Sequence, residues 1–454
     1  MHKPSPAVLL AASFAFIIVQ LDVTIVNVAL PEIGRELGAS VSALQWVVDA
    51  YTLGFAVFLL SAGVLGDRFG ARRVFLSGFA LFTLASLACA MAPGALALNL
   101  ARAVQGVGAA LLVPSSLSIL NTAYAHDRAQ LAKAIAWWTA AGGVSIAAGP
   151  VLGGLLMSVA GWRSIFWVNI PICVLGFWLT LRVVPALRGK DPARSFDISG
   201  QVLAIVALTA FIGAVIEFNT LGASSHLVQG ALLAALVSAA LFIRSQQRSA
   251  APMLPLGLFR DIGFSGAVLF GVLVNFAYYG VIFVLSFHLQ KVRGFSVMHA
   301  GLVFLPLTGT FIFSNIASGR LQARAGSRLP MIVGGLVGAA GYALLGVFGV
   351  AHDATFLEML PGLVLIPAGM GLAVPAMTTS ILAAIDRGQA GTASAVLNTA
   401  RQVGGAMGVA IFGAIQDIKF ALSVSTILLL LGALLAWYCI KHPISTKGAS
   451  LCRT

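Results

Sequence analysis

Fourteen apolar runs follow one another along the chain, near 7–29, 45–65, 73–92, 96–120, 134–160, 164–182, 198–218, 226–244, 264–289, 299–319, 330–350, 355–381, 391–415 and 420–440. Each is close to the roughly 20 residues that a helix needs to cross a hydrocarbon core. In lipid every backbone amide and carbonyl must be bonded within the protein, so successive runs of this length fold as a helical bundle. The expected class is an all-α integral membrane protein with 14 transmembrane helices. Composition agrees. Apolar residues make up 59% of the chain and charged ones 9%, with a mean hydropathy of +0.99. So little charge excludes a soluble globular domain. The first run is too long for a signal-peptide core and contains Asp22, so it reads as a helix that stays.

The formal net charge of +13 invites a nucleic-acid reading, but the positions of the charges argue against one. With the N-terminus inside, twenty of the 27 Lys and Arg fall in cytoplasmic loops and tails. Five fall outside (Arg35, Arg163, Lys291, Arg293, Lys419), and Arg102 and Arg401 lie within runs. This bias places both termini in the cytoplasm. Cys89, Cys173, Cys439 and Cys452 show no pairing or metal-ligand spacing.

The chain also repeats itself. The segment Gly66-Asp67-Arg68-Phe69-Gly70-Ala71-Arg72-Arg73 reads as a charged loop between the second and third runs. Gly63, Arg68, Gly70 and Arg72 return 256 residues later as Gly319, Arg324, Gly326 and Arg328, whereas Asp67 becomes Ala323. Val113-Pro114 returns as Val374-Pro375, and Gly142-Gly143 as Gly404-Gly405, at offsets of 261 and 262. Similar offsets in the same order imply a duplicated bundle, a common build for secondary transporters. The longest inner connections bracket the seventh and eighth runs. The expected division is a six-helix bundle over 1–186, an inserted helix pair over 187–255 and a second six-helix bundle over 256–454.

Charged groups inside a membrane are costly and therefore candidates for function. Asp22 and Arg102 reach similar depth, counted at roughly 1.5 Å per residue from the outer ends of their runs. Equal depth permits either a titrating pair that carries a proton or a fixed structural ion pair. Asp49 lies one turn inside the second run and Glu217 near the outer end of the seventh. Arg401 lies deeper, after Asn398. Gln20, Thr24 and Asn27 share one face of the first helix, nearly opposite Asp22, so only one of these faces looks straight into a central cavity. Asn27, Trp138, Asn275, Tyr279, Asn398, Arg401 and Glu217 are the candidate cavity residues. Gly149-Pro150 with Gly153-Gly154 marks either a pliable helix or a static kink. No phosphate-binding loop, HExxH site or nucleophile elbow occurs in the sequence. No cofactor or metal is expected.

Five stretches together resemble the major facilitator superfamily, and within it the 14-helix drug:proton antiporters of the EmrB/QacA type, including methylenomycin-type resistance exporters. They are Leu21 to Pro31, Gly63 to Arg73, Arg102 with Gln105 to Gly108, Gly149 to Gly154, and Phe196 to Gly200. The resemblance implies proton coupling by Asp22 and Arg102, and we add Asp49 as a competing carboxylate. It implies an inner gate of Gly63, Asp67, Arg68, Gly70 and Arg72, and an antiporter hinge at Gly149, Pro150, Gly153 and Gly154. Ala323 departs from the pattern, so only the first gate segment should act strongly. The expectation is a monomeric, proton-driven exporter of drugs or antibiotics in a bacterial inner membrane. Scarce intramembrane carboxylates point to neutral or monocationic compounds. A dedicated exporter of one endogenous metabolite is the alternative, and a membrane enzyme or scaffold a remote one.

Overall fold

The computed structural model describes residues 6–125, 127–185, 196–249, 252–351, 354–385 and 390–440. Every regular element among them is helical: α1 (Pro6–Leu37), α2 (Val41–Phe69), α3 (Ala71–Ala90), α4 (Ala95–Ala123), α5 (Arg128–Ala160), α6 (Ser164–Trp167), α7 (Asn169–Val183), α8 (Ile198–Leu221), α9 (His226–Arg248), α10 (Ile262–Phe287), α11 (Val297–Val303), α12 (Leu305–Ala325), α13 (Arg328–Leu344), α14 (Phe356–Ala383), α15 (Ala390–Ile415) and α16 (Ile418–Cys439). Counting α6–α7 and α11–α12 as single spans, twelve are long and apolar enough to cross a bilayer, and the bent α5 makes thirteen. The remaining expected span, α15, has 26 residues, but Asn398, Arg401 and Gln402 break its apolar run.

Helix ends follow local chemistry. Ser40, Asp261 and Asp417 cap α2, α10 and α16 by accepting first-turn amides, and Thr355 with Glu358 forms a capping box on α14. The segment expected as a loop over 66–73 is almost entirely helical. Only Gly70, at φ 92°, separates α2 from α3, and Gly326, at φ 69°, plays the same part between α12 and α13. Such positive φ values suit glycine. The next arginine is used alike in both copies. Arg72 donates to the Leu181 carbonyl at 2.9 Å, near the end of α7. Arg328 donates to the Trp437 carbonyl at 2.6 Å, near the end of α16. The sequence repeat is thus a repeat of helix-end capping.

Within the first half, α4 packs on α2 and α3, and α1 on α5 and α7; in the second, α10 packs on α15 and α16, and α14 on α12 and α13. The halves meet where α2 lies on α15 and where α5 lies on α11 and α12. The pair α8–α9 is peripheral: only 28% and 17% of their spans are buried, against 78% for α2. Gln201 fastens α8 to α2, donating to the Val57 carbonyl at 3.2 Å and accepting from Ser61. Asp197 joins α8 to the end of α9, accepting from Gln246 at 2.6 Å and from the Gly200 amide at 2.8 Å. Burial would raise the Asp197 carboxyl, but these donors outweigh it and hold the group below the usual range. Its stabilising contribution is therefore present at neutral pH and lost only as pH falls through that lowered value.

Candidate functional site

α1 has two functional faces. One carries Asp22, which is fully buried, as is Arg102 of α4. The Arg102 guanidinium donates to Asp22 Oδ2 and, at 2.6 Å, to Gln105 Oε1. Its Nε donates to the Val47 carbonyl at 3.0 Å. The other carboxylate oxygen accepts from Gln105 and from Asn169, both at 3.0 Å. Ser86 Oγ closes the network, accepting from Gln105 at 2.9 Å and Asn169 at 3.3 Å. The Tyr51 ring lies 4.2 Å from the guanidinium carbon, a cation–π contact. Five helices, α1, α2, α3, α4 and α7, thus meet around one charge pair. A buried ion pair is tolerable only when its remaining donors and acceptors are satisfied in this way. Gly106 allows the approach: a Cβ there would overlap the Tyr51 carbonyl, so α4 lies backbone-to-backbone on α2.

Asp49 has the opposite environment. It is fully buried, and neither carboxylate oxygen has a hydrogen-bond partner among the described residues. Gln45, one turn earlier, donates to the carbonyls of Val409 and Ala410 on α15 at 3.2 and 2.8 Å. Leu53, one turn later, packs with Ala406 and Ala410. The spacing puts Asp49 on the same face, at the seam between the halves.

The other face of α1 lines a cavity between the halves. Thr24, Asn27 and Val28 form its α1 wall; Asn275, Tyr278, Tyr279 and Ser286 come from α10, Phe311 from α12 and Arg401 from α15. The question left by the helical wheel is thereby answered: Asn27 faces the cavity and Asp22 faces the first half. Asn275, Tyr279 and Arg401 line the same cavity. Asn398 lies a turn away, where Arg401 approaches its Oδ1 at 3.5 Å. Trp138 does not line the cavity but stacks on Phe16 with ring centroids 3.8 Å apart. Glu217 is on the peripheral α8, where Thr220 donates to it at 2.8 Å.

α5 bends by 43° between Lys133–Ile146 and Ala148–Ala160, next to Gly149-Pro150. The glycines divide between two neighbours. A Cβ at Gly149 would overlap Thr24 and one at Gly153 would lie 3.0 Å from Ile25, so these two seat α1. A Cβ at Gly154 would lie 3.2 Å from Met298 and one at Gly301 2.5 Å from the Pro150 carbonyl, so here α5 and α11 touch across the halves. These contacts, with the Gln45 bonds and a 3.0 Å bond from Gln290 to the Val28 carbonyl, lie toward the end of the bundle that holds Leu37 and Val41. Toward the opposite end, a Cβ at Gly63, Gly66 or Gly319 would meet nothing within 4 Å. The conformation is therefore closed at the Leu37 end. In the gate segment, Arg68 lies against its neighbour Phe69, 5.3 Å from the ring centre. Arg72 caps α7, and Asp67 occupies the last turn of α2.

Sequence reasoning missed the parts of the network that only tertiary packing unites. Ser86 and Asn169 sit singly in apolar runs, and that isolation was the available signal. Ser286 of the cavity is of the same kind.

The pattern of the Major Facilitator Superfamily matches residues 12–409. The chain is 38% identical over 415 residues to the multidrug resistance protein Stp of Mycobacterium tuberculosis, covering 91% of this chain and 76% of that protein. It is 37% identical over 448 residues to the methylenomycin A resistance protein of Streptomyces coelicolor, covering 97% and 93%. The tetracenomycin C resistance and export protein of Streptomyces glaucescens is 34% identical, covering 91% and 76%. A solved structure from work on substrate recognition in proton dependent oligopeptide transporters superposes with a TM-score of 0.66 at 15% identity, covering 96% of this chain and 97% of that one. That likeness shows the fold. With the family pattern matching most of the chain and relatives named for drug and antibiotic resistance and export, the chain belongs to the Major Facilitator Superfamily and is a multi-pass membrane transporter.

Proposed function

We propose that this transporter is a proton-driven exporter of small amphipathic drugs or antibiotics, acting as a monomer with fourteen spans and both termini on the cytoplasmic side of a bacterial inner membrane. In this reading 1–186 and 256–454 are the two rocking bundles and 187–255 an inserted pair. The observation that carries it is the division of α1: Asp22 binds Arg102 on one face, and Thr24 and Asn27 line the cavity on the other. Protonation of Asp22 removes the charge that faces Arg102. α1 then loses its strongest tie to α4 and α7 while its cavity wall remains in contact with cargo. A proton and a substrate that bias one helix in opposite senses are coupled by that helix alone. Asp49 is the second candidate proton carrier, because its position at the α2–α15 seam ties its charge state to the approach of the halves.

A cation would find no partner in the cavity, since no carboxylate is among the described residues that line it. Export assays on a panel of dyes and antibiotics, in cells lacking their own pumps, test the reading. Resistance to several neutral amphiphiles is expected, with poor export of dicationic analogues. Export of one endogenous metabolite and of nothing else in the panel would favour the dedicated-exporter alternative.

The gate segment gives an asymmetric expectation. In the state closed at the cytoplasmic end, Asp67 would accept from helix-terminal amides or pair with arginine. Asp67→Asn should lower export several-fold with insertion unchanged. Ala323→Ser, in the copy that already lacks the carboxylate, should be mild. Equal loss at both positions, measured as initial efflux rate at matched protein levels, would contradict the asymmetry.

A further inference from the structure

The cavity holds one charged residue, and that residue has the sign opposite to what a pump for cationic drugs requires. Arg401 is the only ionised side chain among the described residues that line the cavity. No acidic residue bonds to it among the described residues. Its Nη1 reaches Asn398 Oδ1 only at 3.5 Å, and its Nε has no hydrogen-bond partner. Of the two buried carboxylates, Asp22 bonds to Arg102, Gln105 and Asn169, Asp49 sits at the α2–α15 seam, and neither is among the residues lining the cavity. A guanidinium carries five N–H donors in a planar fork, so most of its donors remain available to whatever enters.

A second group points the same way. Ser286 of α10 also lines the cavity, is fully buried, and its hydroxyl has no partner among the described residues. Buried polar atoms are normally bonded, and an orphan beside a cavity marks a contact reserved for a ligand or water. The remaining wall is aromatic: Tyr278 and Tyr279 stand edge to face with centroids 5.4 Å apart, and Phe304 and Phe311 add ring surface.

We propose that the cargo is an organic acid: an aromatic, apolar body carrying one carboxylate. Arg401 binds the carboxylate bidentately, and the tyrosines and phenylalanines hold the apolar body. An unpaired arginine within a membrane is costly, and an anionic cargo supplies the missing charge. A cationic amphiphile would meet like charge with no carboxylate to offset it. This deepens the reading of the cavity as the transport site and rests on it. It also replaces the preference for neutral or monocationic compounds expected from the sequence with one for acids.

The test is equilibrium binding to purified protein in neutral-lipid nanodiscs, with no proton gradient. Three fluorescent probes of one shape are used: anthracene carboxylate, its carboxamide and the aminomethyl analogue. The carboxylate should bind about tenfold more tightly than the carboxamide, or better, and the amine most weakly. Arg401→Gln should weaken the carboxylate far more than the carboxamide and bring the two to similar affinity, and Arg401→Lys should restore part of the preference. Equal binding of all three probes to the unmodified protein, or tightest binding of the amine, would overturn the proposal without any variant. Equal weakening of all three probes by Arg401→Gln would show a structural arginine and overturn it as well. Because binding needs no gradient, the outcome is separate from proton coupling. A protein that selects the carboxylate but does not export it would sink the export reading alone.

Discussion

Asp22→Asn is expected to abolish drug accumulation driven by an imposed pH gradient in everted vesicles, while substrate binding survives. The substitution keeps the shape of the side chain and removes the charge that accepts from Arg102, Gln105 and Asn169. Breaking a buried pair by removing one partner costs about 3–5 kcal/mol, because the other charge is left buried alone. The protein must therefore be shown to be inserted at normal levels before transport is compared. Facilitated, gradient-independent movement of drug should persist, since Thr24, Asn27 and the rest of the cavity wall are untouched. Asp49→Asn gives the discriminating comparison. Its oxygens make no hydrogen bond to lose, so a comparable loss of pH-driven transport there would reveal a second proton carrier. Normal transport would leave Asp22 as the coupling group.

Gly301→Leu should stop export at a different step. The α-hydrogen of Gly301 lets α11 meet α5 at Pro150, where a Cβ would come within 2.5 Å of the carbonyl oxygen. That atom is backbone, so the helices must part. Overpacking of this kind typically costs about 1–3 kcal/mol. The cost falls only on the conformation closed at the Leu37 end, because it is across the halves that these helices touch. The equilibrium should move toward the opposite state, and turnover should fall by roughly tenfold or more for a bias of that size. Cysteines placed beside Gln45 and Ala410 should become more accessible to water-soluble reagents. Unchanged accessibility with full activity would mean that the α5–α11 contact does not form in the cycle.

The residues that could be read in advance are those whose meaning is one-dimensional. Depth along a span follows from counting, and it brought Asp22 and Arg102 to one level before any packing was known. Helix-breaking residues announce themselves, and the bend of α5 lies beside Pro150. Repeats are visible in a string, so Gly70 and Gly326 were found as a pair. Azimuth is different. A helix in a crowded bundle buries polar residues on more than one side, and the wheel alone could not say that Asn27 faces the cavity while Asp22 faces Arg102. Long-range closure was also invisible: Asn169 and Ser86 lie 83 residues apart and meet because α3 packs on α7. The bond from Arg72 to a carbonyl near the end of a helix 109 residues on was likewise invisible in the string. Trp138 looked like a cavity residue because it is aromatic, and it found Phe16 instead.

The central claim is that protons and cargo exchange through one helix. Proteoliposomes holding the purified protein and an internal pH dye test it most directly, using the best substrate from the export panel. An outward-directed substrate gradient should drive protons inward in the unmodified protein, and this flux should vanish in Asp22→Asn while substrate still leaks down its gradient. Substrate movement with no accompanying proton flux in the unmodified protein, or an unchanged flux in Asp22→Asn, would contradict the account.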